Sequence, residues 1–129
     1  MRIALAQLNY HIGNFEKDTA RIVDTIHQAK KAGNDLIIFA ELAVGGYPAN
    51  DLFRNHTYLE HIDKAIDQIA EACCGIACII GAPIHNPQPE GKRLFNAALV
   101  IENKVITHRI KKSYLPDYDV FDEYRYFEP

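Results

Sequence analysis

Apolar residues along the chain occur in two patterns: short continuous runs, and longer stretches in which they recur every three or four positions. Short runs are typical of buried strands, whereas the recurring spacing is typical of a helix with one apolar face. The sequence therefore predicts strands at residues 2–9, 35–40, 75–83, 94–102 and 105–110, and helices at residues 15–32 and 59–73. Strands and helices alternate through the first three of these strands, which indicates an α/β fold.

The first part of the chain has the spacing of a strand–helix–strand unit. The strand at residues 2–9 carries apolar residues on both faces, so we expect it to be buried within a sheet. Asn14 stands where its side chain can cap the following helix, and Gly33 stands where that helix should end. The spacing predicts parallel pairing of the two strands through a right-handed crossover.

The later part of the chain contains a β-hairpin and an aromatic segment. A polar turn at residues 86–92 precedes the last two predicted strands, and Asn103 and Lys104 join those strands as expected of a hairpin. Residues 114–127 are dense in aromatic side chains, which would expose apolar surface if nothing covered them. We therefore expect residues 1–129 to be part of a larger domain.

Composition and charge limit the classes of partner. The 129 residues include 14 Lys or Arg and 17 Asp or Glu, for a net charge of −3 without a basic cluster. This predicts no nucleic-acid or membrane partner, and no apolar stretch approaches the roughly 20 residues of a membrane span. The three cysteines lack zinc-site spacing and no secretory signal accompanies them, so we expect a cytoplasmic protein.

Two charged residues follow predicted strands and are candidates for chemistry. Glu41 comes directly after residues 35–40, and Lys112 follows the last strand. Ligands of parallel α/β sheets gather at the carboxyl ends of strands. We therefore expect both side chains at one edge of the sheet, within roughly 3–6 Å of each other. Each residue alone could instead be a solvated charge, or a helix cap in the case of Glu41.

Four short motifs place these two residues in a wider context. They are FAEL at residues 39–42, GAP at 81–83, FNAALV at 95–100 and KSYLP at 112–116. In this order they resemble the nitrilase, or carbon-nitrogen hydrolase, superfamily, whose members use a Glu-Lys-Cys triad. The resemblance implies that Glu41 is the general base and Lys112 the catalytic lysine. It also implies an α-β-β-α sandwich, of which this chain would be the amino-terminal half.

Two further segments are similar to the amino-terminal domain of glutamine-dependent NAD synthetases. They are GYPANDL at residues 46–52 and LPDYDVFDEYRYF at residues 115–127. The similarity implies that Tyr47 and Tyr118 line a glutamine pocket and that Glu123 orients the lysine. The tyrosines could instead be core aromatics with a hydroxyl at the surface. Glu123 could instead pair with Arg125 or with a neighbouring subunit.

The chain departs from the family's pattern at two points. Ala40 stands where the family usually has proline, which would loosen the loop without removing a catalytic atom. The family's nucleophilic cysteine lies a few dozen residues beyond the lysine, so we expect residues 1–129 to end before it and to be inactive alone. Cys73, Cys74 and Cys78 all precede the lysine, and we expect structural roles for them.

The resemblance implies a substrate, a reaction and partners. The reaction would be hydrolysis of L-glutamine through a thioester, and the ammonia would amidate deamido-NAD to NAD in a second domain that uses ATP and Mg²⁺. Those ligands would bind outside residues 1–129, and we expect neither a cofactor nor a metal within these residues. The resemblance also implies a homo-oligomer. Two other functions stay open, a stand-alone amidase or nitrilase and a non-enzymatic α/β binding module.

Overall fold

Five strands form one sheet in a computed structural model that describes residues 1–129 without a gap. The strands are β1 Ile3–Leu5, β2 Leu36–Ile38, β3 Ala77–His85, β4 Leu94–Glu102 and β5 Val105–Lys111. The helices are α1 Phe15–Lys31 and α2 His56–Ala72, with 3₁₀ helices at Asn50–Arg54 and Glu123–Arg125. Neighbouring strands follow chain order across the sheet, β1-β2-β3-β4-β5.

Strand direction changes in the middle of the sheet. β1, β2 and β3 run parallel, since α1 and α2 each return the chain to the same end of the sheet. β3, β4 and β5 are antiparallel neighbours. The predicted strand–helix–strand unit and the predicted hairpin are both confirmed.

The two α-helices pack against each other and against the sheet. Ile22 and Ile26 of α1 and Ile62 and Ile69 of α2 are fully buried in one core with Ile37 of β2. One helical layer on one sheet is half of the predicted α-β-β-α sandwich, so the predicted fold class is confirmed. Neither helix is long and apolar enough to cross a membrane.

The helix ends follow the predicted signals with two exceptions, the cap of α1 and the start of α2. Gly33 ends α1 as predicted, with a φ of 76°. Asn14 precedes α1, but its side chain makes no capping hydrogen bond, so the predicted cap is wrong. The reason is its backbone, which at φ −90° and ψ 61° is not in the extended conformation of a capping residue. α2 begins at His56, earlier than predicted, because the Asn55 side chain accepts a hydrogen bond from the Tyr58 N–H.

β1 differs from the prediction in length and in burial. Only Ile3–Leu5 pair with β2, whereas the sequence predicts a strand at residues 2–9. β1 is an edge strand, and one of its faces has no covering element among residues 1–129. Ile3 is therefore 46% and Leu5 76% exposed, and the predicted burial on both faces is wrong for this strand. Ala4 packs on the opposite, helical side.

The β4–β5 hairpin turns at Asn103 and Lys104, as predicted. Both residues have positive φ, 49° and 69°. Positive φ at both central residues is the type I′ geometry, which matches the twist of two antiparallel strands. Asn103 suits this turn because asparagine tolerates the left-handed region better than most residues.

The aromatic segment after β5 divides into buried and exposed parts. Phe127 is buried, because it forms a bridge with Leu94 and packs on Phe53 at 5.2 Å between ring centroids. Tyr114 and Tyr118 are exposed. The exposure expected of this segment is thus confirmed for Tyr114 and Tyr118. It is wrong for Phe127, which is buried because it pairs with Leu94 of β4.

Candidate active site

Glu41 and Lys112 meet at one edge of the sheet. Glu41 follows β2, and Lys112 follows β5, two strands that are not neighbours in the sheet. The Lys112 Nζ donates to Glu41 Oε1 at 2.8 Å. The expected meeting at one edge is confirmed, at a distance just below the expected 3–6 Å. A carboxylate and an ammonium in this contact each favour the ionised form of the other.

Glu123 is the second carboxylate on the same ammonium. Both of its carboxylate oxygens accept from Lys112 Nζ at 3.1 Å. Its side chain is buried, so this contact replaces water around the charge. Arg125 pairs with Asp122 and Asp51 instead. The predicted contact of Glu123 with Lys112 is therefore present. The alternative that Glu123 pairs with Arg125 is wrong within this chain.

The 3₁₀ helix Glu123–Arg125 is tied to the 3₁₀ helix Asn50–Arg54. Asp51 Oδ1 accepts from the Tyr126 hydroxyl at 3.0 Å and lies 3.7 Å from Arg125 Nε. The Glu123 N–H also donates to the Pro116 carbonyl at 3.1 Å. The two segments that resemble NAD synthetases are thus in contact, and that contact helps to place Glu123.

The loop that carries Glu41 is held against β3 by backbone hydrogen bonds. The Gly81 N–H donates to the Ala40 carbonyl at 3.2 Å, and the Val44 N–H donates to the Gly81 carbonyl at 3.1 Å. Leu42 adopts a φ of 49°, which is uncommon for a leucine. Such outliers occur where the surrounding structure holds them, often at functional sites. Leu42 is fully buried, which supplies that restraint.

Asn96 of β4 is a site residue that the sequence reasoning missed. Its side-chain Nδ2 donates to Glu41 Oε1 at 2.6 Å and to Glu123 Oε2 at 3.4 Å. It is one of only three buried polar or charged residues of the chain, with Thr19 and Glu123. The available signal was one asparagine inside an otherwise apolar strand, because a buried amide needs hydrogen-bond partners.

The surroundings of Lys112 favour its charged form. Burial by itself lowers the pKa of Lys112, but hydrogen bonds to Glu41 and Glu123 and the charges of both carboxylates outweigh it, so the pKa is raised. The lysine therefore keeps its positive charge at neutral pH. A fixed positive charge at this position can stabilise an oxyanion that develops next to it.

The two tyrosines predicted to line a pocket lie on either side of Phe121. The ring centroid of Phe121 is 6.4 Å from that of Tyr47 and 5.6 Å from that of Tyr118. Burial raises the pKa of Tyr47, and the charge of Glu123 adds to the effect while Lys112 opposes it. Tyr47 and Glu123 line the same small cavity. Both tyrosines are exposed, so the alternative of core aromatics is wrong for this chain.

An open depression of about 400 Å³ adjoins the charged cluster. Glu41, Asn96 and Lys112 line it together with apolar residues that include Ile79 and Ile110. A larger groove of about 1080 Å³ lies between α1 and α2. The smaller depression is the candidate site, because it contains the charged groups in mutual contact and an apolar floor.

The cysteines lie away from the charged cluster. Cys73 and Cys78 are buried, and the Cys73 thiol donates to the Ile69 carbonyl at 3.2 Å. A hydrogen bond with Cys73 and burial together raise the pKa of Cys78, which keeps that thiol protonated. None of the three cysteines lines the depression. No group of three or more His, Cys, Asp or Glu side chains is arranged to hold a metal ion.

Comparison with known families gives one match over almost the entire chain. Residues 2–129 match the carbon-nitrogen hydrolase family. Glutamine-dependent NAD(+) synthetases of Xylella fastidiosa and Acinetobacter baylyi are 39% and 42% identical to the chain, each over 99% of it. The chain spans 23% of the length of either protein.

Comparison with solved structures also finds glutamine-dependent NAD synthetases. The glutamine-dependent NAD+ synthetase of Acinetobacter baumannii superposes with a TM-score of 0.88 at 39% identity, covering 98% of this chain and 23% of that one. The corresponding synthetase of Cytophaga hutchinsonii has a TM-score of 0.90 at 27% identity, with coverages of 99% and 21%. An amidase from Nesterenkonia sp. has a TM-score of 0.82 at 24% identity, covering 100% of this chain and 48% of the amidase, which is a likeness of fold alone.

Proposed function

Because the chain belongs to the carbon-nitrogen hydrolase family, we propose that it supplies the general base and the lysine of a site that hydrolyses the side-chain amide of L-glutamine. The observation that carries the proposal is the Lys112 ammonium between the carboxylates of Glu41 and Glu123. These groups adjoin a depression with an apolar floor, as suits a small amide substrate.

Glu41 is the general base of the proposed reaction. Its carboxylate takes the proton of a cysteine thiol outside residues 1–129, and the sulfur bonds to the amide carbon of glutamine. The Lys112 ammonium and a backbone N–H stabilise the oxyanion that forms. The carbon–nitrogen bond then breaks, the nitrogen takes the proton from Glu41 and leaves as ammonia, and a thioester remains. Water that Glu41 deprotonates attacks the thioester, releasing glutamate and the thiol.

Glu123, Tyr47 and Tyr118 have supporting roles in the proposal. Glu123 orients Lys112, which is supported by its two contacts with that ammonium. Tyr47 and Tyr118 do not line the depression itself, and in the proposal they contact glutamine from beside it. Their packing on Phe121 and the small cavity that Tyr47 shares with Glu123 support this role. Aromatic rings beside the scissile amide would exclude water from one side of it.

The longer protein proposed for this chain is a glutamine-dependent NAD synthetase. Relatives of that name are 39% and 42% identical to the chain, which spans 23% of their length. Residues 1–129 would then be the amino-terminal part of a glutaminase domain, with the nucleophilic cysteine beyond them. The ammonia would amidate deamido-NAD to NAD in another part of the protein, where ATP and Mg²⁺ also bind.

We propose a cytoplasmic location from the state of the cysteines, and a homo-oligomer from the family resemblance alone. All three cysteines are free, which suits a reducing compartment. The sheet face that α1 and α2 leave uncovered exposes Ile3, Leu5 and Ile110, and in an α-β-β-α sandwich the second sheet of the same domain covers this face. Light scattering on the full-length protein measures the oligomer, and a monomer at micromolar concentration would contradict this part of the proposal.

Substitution of the two charged residues in the full-length protein tests the proposed reaction. Glu41→Gln or Lys112→Met removes one charge with little change in volume. We expect Lys112→Met to reduce NAD formation from glutamine on the order of 100- to 1000-fold, as loss of a preorganised oxyanion partner does. Glu41→Gln should reduce it on the order of 100- to 10,000-fold, as loss of a general base does. Ammonia supplied directly should restore NAD formation, because it does not need the thioester chemistry. The measurement is NAD formation with each nitrogen donor.

The exposed ion pair of Lys104 with Glu71 provides a matched control. Its nitrogen and oxygen are 2.9 Å apart, but it does not adjoin the depression. Lys104→Met and Glu71→Gln should leave NAD formation from glutamine and from ammonia unchanged.

The outcomes distinguish the possible functions. A variant of Glu41 or Lys112 that makes no NAD from either glutamine or ammonia would contradict a role confined to glutamine hydrolysis. A full-length protein that makes no NAD but hydrolyses simple amides would establish a stand-alone amidase, and one that does neither would favour a binding module.

A further inference from the structure

We propose that Asn96 is a positioning residue of this site, a neutral donor that holds the carboxylates of Glu41 and Glu123 in place around Lys112. Its side-chain Nδ2 donates to both carboxylates, at 2.6 Å and 3.4 Å. Its backbone carbonyl accepts from the Lys112 N–H at 2.8 Å. One buried residue thus contacts all three charged residues. The activity test of this inference rests on the proposed function.

The chemistry of the amide explains why asparagine suits this position. An ionised carboxylate only accepts hydrogen bonds, so the NH₂ end of Asn96 must face Glu41 and Glu123. One nitrogen with two hydrogens can donate to two carboxylates at once. An aspartate here would add a third negative charge against one ammonium. A lysine or arginine would compete with Lys112 for both partners, and an apolar side chain would leave buried carboxylate oxygens with one donor fewer.

The sheet makes Asn96 a rigid support. β4 lies between β3 and β5, so Asn96 is paired with Pro83 on one side and receives the Lys112 N–H on the other. The Glu41 side chain is 54% exposed and belongs to a loop. Without the bond from Asn96, the flexible side chain of Lys112 alone would hold this carboxylate against solvent. A fixed donor on the sheet therefore restricts the general base to the geometry that the reaction needs.

Variants of the full-length protein test the inference. In Asn96→Ala we expect kcat for ammonia release from glutamine to fall about 10- to 100-fold, the range for losing a hydrogen bond to a charged group. KM for glutamine should change less than about threefold, because Asn96 acts on the base and not on the substrate. Asn96→Asp should lose more, since it adds charge repulsion. NAD formation from supplied ammonia should be unchanged in both variants.

Ile101→Val is the matched control on the same strand. Ile101 is as buried as Asn96 but contributes to the helix-covered core, so its variant lowers stability without touching the charged cluster. We expect it to retain kcat for glutamine at a temperature below its unfolding. A crystal structure of Asn96→Ala adds a readout that needs no activity: the Glu41 Oε1 to Lys112 Nζ distance should lengthen from 2.8 Å to beyond about 4 Å, the usual ion-pair limit.

The outcomes separate the inference from the proposed function. Unchanged kcat in Asn96→Ala, or an intact Glu41–Lys112 contact in its crystal structure, would overturn the positioning role. Equal losses with glutamine and with ammonia, together with a lowered unfolding temperature, would show a structural role and also overturn it. If the unmodified protein releases no ammonia from glutamine, the proposed function fails, and the crystal contact alone decides about Asn96.

Discussion

Lys112 carries the positive charge of the cluster, and its partners come from two distant parts of the chain. Glu41 precedes it by 71 residues and Glu123 follows it by 11. Burial alone lowers the pKa of Lys112, and the two carboxylates more than compensate. The proposed oxyanion stabiliser is therefore charged throughout the neutral range. Only pH values above its ordinary pKa of 10.5 would begin to remove that charge.

Acetylation of Lys112 measures this pKa directly. Acetic anhydride reacts with the neutral amine, so a raised pKa slows labelling at any fixed pH. Glu41→Gln removes one hydrogen bond and one charge, and the pKa of Lys112 should fall. The labelling rate at pH 9 should then rise about tenfold for each unit by which the pKa falls. Mass spectrometry of the peptide containing Lys112 gives the rate.

The control for this labelling experiment is again the surface ion pair. A hydrogen bond and the charge of Glu71 raise the pKa of Lys104. Glu71→Gln should therefore accelerate labelling of Lys104 and leave Lys112 unchanged. Equal Lys112 rates in the unmodified protein and in Glu41→Gln would contradict the coupling of this lysine to Glu41.

At the scale of elements, the close approach of β3 to the Glu41 loop decides where the Glu41 carboxylate lies. A Cβ at Gly81 would meet the Leu42 nitrogen at 2.4 Å, the Glu41 Cα at 2.6 Å and the Ala40 carbonyl oxygen at 2.7 Å. All three atoms belong to the backbone, which cannot rotate away as a side chain can. The strand and the loop fit together here only because residue 81 has no side chain.

Gly81→Ala tests this contact between strand and loop. We expect a loss of unfolding free energy of about 1–3 kcal/mol or more from overpacking. The Glu41 backbone must also shift, so labelling of Lys112 at pH 9 should accelerate as in Glu41→Gln. Urea unfolding and mass spectrometry measure the two effects.

Gly13→Ala is the control variant, because it introduces backbone strain without the steric clash expected in Gly81→Ala. Gly13 has a φ of 82° and open space around its missing Cβ, so its variant should cost about 1–2 kcal/mol from left-handed strain alone. Labelling of Lys112 should be unchanged in Gly13→Ala. A Gly81→Ala protein with unchanged labelling would show that the loop position does not depend on this approach.

At the scale of the whole molecule, the thiols and the charged cluster are kept apart. Cys78 lies on β3, three residues before Gly81, yet its side chain is fully buried in the helix-covered core. Cys74 is exposed but follows α2, away from the depression. No thiol of residues 1–129 can therefore attack an amide held by Glu41 and Lys112.

Residues 1–129 expressed alone should release no ammonia from glutamine above the buffer background. The physical reason is that the proposed base, Glu41, and the proposed oxyanion partner, Lys112, have no accessible thiol beside them. Ammonia assays with and without the chain make the measurement, and Cys78→Ala serves as the comparison. Ammonia release that Cys78→Ala abolishes would make Cys78 catalytic and would contradict the proposed mechanism.

The sequence alone determined the features that depend on near neighbours in the chain. The apolar faces of α1 and α2, the end of α1 at Gly33 and the hairpin at Asn103 follow from periodicity and turn chemistry within a few residues. Glu41 and Lys112 were found because each follows a strand inside a short motif. Local preferences of this kind act over three or four residues and need no knowledge of the sheet.

Only the tertiary structure decided which further residues join Glu41 and Lys112. Asn96 and Glu41 are 55 residues apart and contact each other because β4 lies beside β3, against which the Glu41 loop packs. The exposed face of β1 likewise follows from the absence of a covering layer on that side of the sheet among residues 1–129, which the apolar composition of the strand does not reveal. Strand order and register are set by the packing of all five strands and both helices at once. The sequence around Asn96 therefore marks it as a polar residue in an apolar run, but its partners are known only when the sheet forms.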